Sequence, residues 1–253
     1  MSQRDTEPTT RERNWRRRTP LWVLGFTVIA VMAVIPAAGR GRDSSTATRF
    51  TPDEPLTSYR AFRRMHAKSE RFNQEGWLNA WTEFDGRQFT YQIVDERGSD
   101  YVRNKVLKGI LKREQEIVAE GPARAALTEE NYVFGETGAQ ADGERYVQIT
   151  PKRKDVMLVE GRMVLTPDGN DLLRVEGRLA KNPSFWTSLV NVIRHFAKID
   201  GVRVPVATES IAKVKFAGQS QLSVVYEYES INGQPVSVAG KLLVASANVG
   251  SRQ

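Results

Sequence analysis

The spacing of apolar residues changes along the chain, and each change marks an element. Residues 21–38 form an unbroken, uncharged and mainly apolar run. After Pro55 the apolar steps are a mixture of threes and fours, through Leu56, Tyr59, Phe62, Arg63, Met65 and His66, which predicts a first helix. A stronger helix pattern follows Ser99, a residue suited to capping. Val102, Val106, Leu107, Ile110, Leu111, Ile117 and Val118 form one stripe, broken only by Glu114, and Gly121-Pro122 stops it. Elsewhere the period is two. Phe89, Tyr91 and Ile93 alternate with polar residues, as do Leu173, Val175, Gly177 and Leu179. Val202, Val204, Val206, Ala212, Val214 and Phe216 share one parity, and Leu222, Val224, Tyr226 and Tyr228 repeat the pattern. Turn signals separate the runs: Asp85-Gly86, Asp142-Gly143, Pro167-Asp168-Gly169-Asn170, Asp200-Gly201, Gly218-Gln219 and Asn232-Gly233.

Many strands joined by short turns imply antiparallel meanders rather than βαβ units. A sheet that wide must curl, split or close. The expected fold is therefore α+β: a strongly curved antiparallel sheet, an unclosed half-barrel, with two helices on its concave side and a hydrophobic N-terminal helix before it. The expected organisation is a basic segment over 1–20, a signal peptide or membrane anchor over 21–39, a linker over 40–54, a β domain over 55–245 and a tail over 246–253. Whether residues 235–253 add a last strand is left open by the pattern.

Charge sharpens the N-terminal reading. The chain of 253 residues carries a formal net charge of +7. Residues 1–20 hold six arginines against Asp5, Glu7 and Glu12, and Arg16-Arg17-Arg18 precedes the apolar run. A helix over the 18 residues 21–38 spans about 27 Å, just short of a hydrocarbon core of about 30 Å. Basic, apolar and small-residue regions in that order are a secretory pattern, and the positive-inside rule puts the N-terminus inside. The protein is expected to be exported and periplasmic. It is either soluble after cleavage near Ala37-Ala38-Gly39 or anchored at the inner membrane through residues 21–38, with the β domain outside. Cysteine is absent, which excludes disulfides, thiolate metal sites, cysteine nucleophiles and a lipidated N-terminal cysteine. The remaining positive charge is dispersed. Lys152-Arg153-Lys154, followed by Asp155, reads as a solvated turn, so no nucleic-acid partner is expected.

Catalytic signatures are missing from the sequence: there is no G-x-S-x-G, Walker loop, H-E-x-x-H or dinucleotide fingerprint. His66 and His195 stand far apart without close carboxylates, and no metal or cofactor is expected. Ser210-Ile211-Ala212-Lys213 fits S-x-x-K, yet in a period-two stretch its serine and lysine point to opposite faces. Glu160, Glu176, Glu227 and Glu229 read as outward sheet residues. Aromatics are concentrated in one hairpin, with Trp77, Trp81, Phe84, Phe89 and Tyr91, and recur at Phe185-Trp186. They fit either ordinary core packing or a greasy concavity able to accept a lipid chain.

Several stretches together resemble the LolA/LolB-like superfamily of outer-membrane lipoprotein-sorting factors and their relatives, over roughly residues 55–232. They are residues 59–65 (YRAFRRM), 156–161 (VMLVEG), 174–179 (RVEGRL), 183–186 (PSFW), 201–205 (GVRVP) and 226–228 (YEY). The resemblance implies an unclosed β-barrel with a helical lid and a hydrophobic interior that receives acyl chains. The expected function is then non-enzymatic: a cell-envelope protein binding lipid or lipoprotein acyl chains, in lipoprotein sorting. By parity, the lining is expected to include Phe89, Tyr91, Ile93, Leu173, Val175, Leu179, Val204 and Val206. Two alternatives remain open: a membrane-tethered interaction or sensor domain with a filled core, and a hydrolase whose site no linear motif reveals.

Overall fold

The computed structural model describes residues 54–242 except 186, 216 and 217. The hydrophobic N-terminal helix, the signal or anchor at 21–39 and the tail at 246–253 lie outside the described residues. Among the described residues no helix is long and apolar enough to cross a membrane.

Among the described residues eleven strands form one sheet: β1 (Tyr59–Ser69), β2 (Gln74–Phe84), β3 (Phe89–Gly98), β4 (Tyr132–Ala139), β5 (Arg145–Pro151), β6 (Val159–Leu165), β7 (Leu172–Leu179), β8 (Thr187–Ile199), β9 (Val202–Val214), β10 (Gly218–Ile231) and β11 (Gln234–Pro235). Their order is β3-β2-β1-β10-β9-β8-β7-β6-β5-β4, with β11 added beside β10, and every ladder is antiparallel. The end strands β3 and β4 do not pair, so the sheet is open and half-barrel-like. This is the α+β meander that the period-two runs imply.

The helix after Ser99 forms where its stripe places it. Its first turns, Val102–Leu107, are wide and π-type, and α1 (Lys108–Glu120) continues from them. The Arg103 N–H donates to the Ser99 carbonyl at 2.9 Å, and Gly121 ends the helix at φ 107°. A single 3₁₀ turn follows at Pro122–Ala125.

The first predicted helix is instead strand β1, and Pro55 only leads into it. Tyr59, Ala61, Arg63, Met65 and Ala67 point inward and are buried. The other row is also partly apolar, because Phe62 meets Trp81 edge-on at 5.2 Å and His66 stacks on Trp77 at 4.7 Å. Two half-apolar rows interleave into steps of three and four, which imitates a helix. The same register corrects the aromatic hairpin: Phe84 and Phe89 lie in the core, whereas Trp77 and Trp81 lie on the outer face.

Two hydrophobic clusters form the core. One joins Val102–Leu107 and α1 to the inner faces of β1, β2, β9 and β10 and to Phe89 at the start of β3; the other lies over β4 to β9. At the C-terminal side, β11 pairs with β10 and Val236 enters the first cluster, so the chain past 235 is partly built into the domain.

Candidate functional site

The inner row of β1 from Tyr59 to Ala67 is apolar except at its centre, where Arg63 stands 1% exposed. The stripe of α1 is apolar except at Glu114, 3% exposed. These two exceptions meet. Arg63 donates through Nη1 to Glu114 Oε2 at 2.5 Å and through Nη2 to Oε1 at 2.9 Å, a bidentate pair. Nη2 also donates to the Tyr59 hydroxyl at 2.7 Å. The guanidinium lies over the Tyr226 ring at 4.7 Å and the Phe89 ring at 5.1 Å. Burial alone would pull Arg63 down, but the neighbouring Glu114 charge holds it well above the ordinary arginine value. Burial pushes the Tyr59 and Tyr228 phenols up, so both stay neutral hydroxyls.

A second buried arginine, Arg194 of β8, is 5% exposed and donates through Nε to Thr208 Oγ1 at 3.3 Å. Burial lowers its affinity for a proton, and the fields of Tyr226 and Glu114 oppose that shift. Tyr228 donates to the Pro205 carbonyl at 2.8 Å. The interior under α1 is thus an apolar surface with a polar knot at its centre, and α1 is held down by both.

Against protein-family models, curated proteins and solved structures the chain gives no match.

The expected lining residues divide between the two clusters. Phe89, Val204 and Val206 are buried beneath α1, with Tyr91 and Ile93 packed against the same cluster. Val175 and Leu179 belong to the second cluster. Leu173 is only half-buried; a register shift between Val164 and Leu165 gives the buried position to Leu172. Neither Arg63 nor Glu114 stands among the residues expected from parity. The signal for them was a charge in each of two otherwise apolar rows.

On the outer face the carboxylates expected to point outward are paired. Arg178 Nη2 meets Glu160 at 3.0 Å, Arg174 Nε meets Glu176 at 3.0 Å, Arg64 pairs with Glu227, and Arg60 Nε meets Glu229 at 2.5 Å. An open trough of about 600 Å³ crosses β5 to β8 there, floored by Gly161 and Gly177. Its charged walls are already neutralised by these pairs. Ser210 is buried and Lys213 exposed on β9, so the S-x-x-K match stands on opposite faces. His66 and His195 lie on β1 and β8 with separate neighbours.

Proposed function

We propose that this protein binds a lipid or lipoprotein acyl chain between the inner sheet face and α1, in the cell envelope and without catalysis. The observation that carries the reading is the join between α1 and the sheet: an apolar stripe with one buried ion pair, Arg63–Glu114. The resemblance of residues 55–232 to the lipoprotein-sorting group points to the same use of a curved sheet and helical lid. In this reading α1 is the lid. It rises when an acyl chain takes over the apolar surface that its stripe covers.

The magnitudes are compatible with exchange. Seven buried apolar side chains on Val102–Leu107 and α1 stabilise docking by at most about 10–20 kcal/mol, at about 1.5–3 kcal/mol each. An acyl chain of about fifteen methylenes offers about 12 kcal/mol at about 0.8 kcal/mol per buried CH₂. Ligand and lid therefore compete on comparable terms, and the bound chain can leave again. Arg63 stays behind as the cation that a lipid headgroup or the returning Glu114 neutralises.

A second reading has an observation of its own. The interior residues beneath α1 are buried to 8% exposure or less, as in a filled core. The same fold then serves as an envelope interaction domain. Native mass spectrometry of the protein purified from envelope extract separates the two. Co-purifying lipid, lost on mild activation, supports the acyl-chain reading; a lipid-free protein that takes up no added phospholipid supports the filled core.

A further inference from the structure

The strand order places the hairpin connections on two opposite rims of the sheet. On the first rim stand residues 70–73 between β1 and β2, Lys215 after β9, residues 180–185 after β7, and 152–158 between β5 and β6. One direct contact joins two of them: the Ala180 N–H donates to the Leu158 carbonyl at 2.8 Å. Beside them the Glu70 N–H donates to the Gln219 carbonyl of β10 at 3.1 Å, and Ser188 Oγ at the start of β8 donates to the Lys213 carbonyl of β9 at 3.0 Å. The four connections thus lie along one edge of the sheet, at the strand ends.

The hairpin connections themselves are predominantly basic, while the segment entering β4 brings exposed Glu129 and Glu130 near Lys152, whose N–H donates to the Asn131 carbonyl at 2.8 Å. The four connections hold six lysines and arginines against Glu70 and Asp155. Among the described residues Arg71, Lys152, Lys154, Lys181 and Lys215 are exposed and in no ion pair. That differs from the sheet face, where the arginines at 60, 64, 162, 174 and 178 each have a carboxylate partner. Large apolar rings are exposed on the same rim: Phe72 is 45% and Phe185 78% exposed. Lys215 Nζ lies 4.4 Å from the Phe185 ring centre, so cation and ring share one tip. The opposite rim carries the opposite charge. Its connections carry Asp85, Asp142, Glu144, Asp168, Asp171 and Asp200 against a single Arg87. The chain also reaches the sheet from that acidic rim, where the Glu54 N–H donates to the Gly201 carbonyl at 3.2 Å.

We infer that the basic, aromatic rim is a docking edge for an anionic lipid bilayer, with the Phe72 and Phe185 rings entering the headgroup region and the unpaired cations resting on the phosphates. Loop-tip cations that are in no ion pair gain from an anionic surface, because no carboxylate partner has to be given up. Exposed Phe rings beside cations match interfacial binding, in which apolar side chains enter the headgroup–acyl boundary while Lys and Arg face anionic lipid. This docking stands independently of acyl-chain binding under α1.

The absence of cysteine allows a clean test on the full chain. Asn182→Cys on the basic rim and Asp168→Cys on the acidic rim each carry an environment-sensitive fluorophore. Both proteins are mixed with vesicles of phosphatidylcholine, with or without phosphatidylglycerol, and with lipids brominated on the acyl chains. The expected result is a blue shift and bromine quenching at 182 and not at 168, requiring phosphatidylglycerol. Adding Lys181→Glu and Lys215→Glu raises the lipid concentration for half-maximal response more than about tenfold, at about 1 kcal/mol per cation. Equal quenching at both positions would mean that the N-terminal segment merely holds the domain near the bilayer, and it overturns the inference. So does absence of quenching at 182, or quenching there that ignores both phosphatidylglycerol and the charge reversals.

Discussion

Arg63 and Glu114 are the two charges that interrupt apolar rows, and the fold brings them to a bidentate pair in a dry interior. Desolvating both ions opposes folding, while their attraction and the Tyr59 hydrogen bond favour it. The net value of such a pair is small, but either ion alone would be buried without compensation. Arg63→Met or Glu114→Leu is therefore expected to destabilise by about 3–5 kcal/mol, and the double variant to recover most of that loss. Urea unfolding of the three variants measures it; additive losses in the double variant would mean that the pair is not the unit described here. The pair was legible in part. Glu114 visibly breaks the stripe of its helix, whereas Arg63 becomes conspicuous only when residues 59–69 are read at period two.

At the scale of elements, the strongly periodic segments were readable and the ambiguous ones were not. The stripe from Val102 to Val118 and the turn pairs such as Asp85-Gly86 and Asp200-Gly201 each mark an element that forms. Strand β1 escaped because its outer row packs Phe62 and His66 against two tryptophans, so neither face is polar enough to reveal alternation. Leu173 was misplaced relative to its row by a bulge, and a one-residue shift moves a side chain to the other face. Glycines give a sharper test of the elements. Gly161 and Gly177 face each other on β6 and β7, and a Cβ on Gly161 would lie 2.1 Å from the Glu176 carbonyl oxygen. Gly109 in α1 has nothing within 4 Å of such a Cβ. Gly161→Ala is expected to destabilise by more than about 1 kcal/mol, and Gly109→Ala to stabilise by about 0.5–1 kcal/mol. Thermal unfolding then moves in opposite directions for the same chemical change, by a few degrees each way. Loss of stability in both variants would contradict the placement of Gly109 in an uncrowded helix.

The whole molecule combines an apolar interior under a helix, a neutralised outer face, and two rims of opposite charge. The open antiparallel sheet and its helical cover follow from periodicity and turn spacing. The charged rims do not, because a turn's charge has no side until the strand order assigns one. Lys152-Arg153-Lys154 reads in sequence as an isolated solvated turn for that reason; on the same rim as residues 70–73, 180–185 and Lys215 it becomes part of an edge. The interior's use rests on whether α1 can yield its surface. The most direct measurement is photo-crosslinking of the full chain with a phospholipid bearing a diazirine near the end of one acyl chain, followed by peptide mapping. Label on α1 around Ile110 and Ile117 and on the facing strands around Val204 and Tyr226 is the expected result. Label confined to the rim around Phe72 and Phe185, or no label at all, would contradict acyl-chain binding beneath the helix.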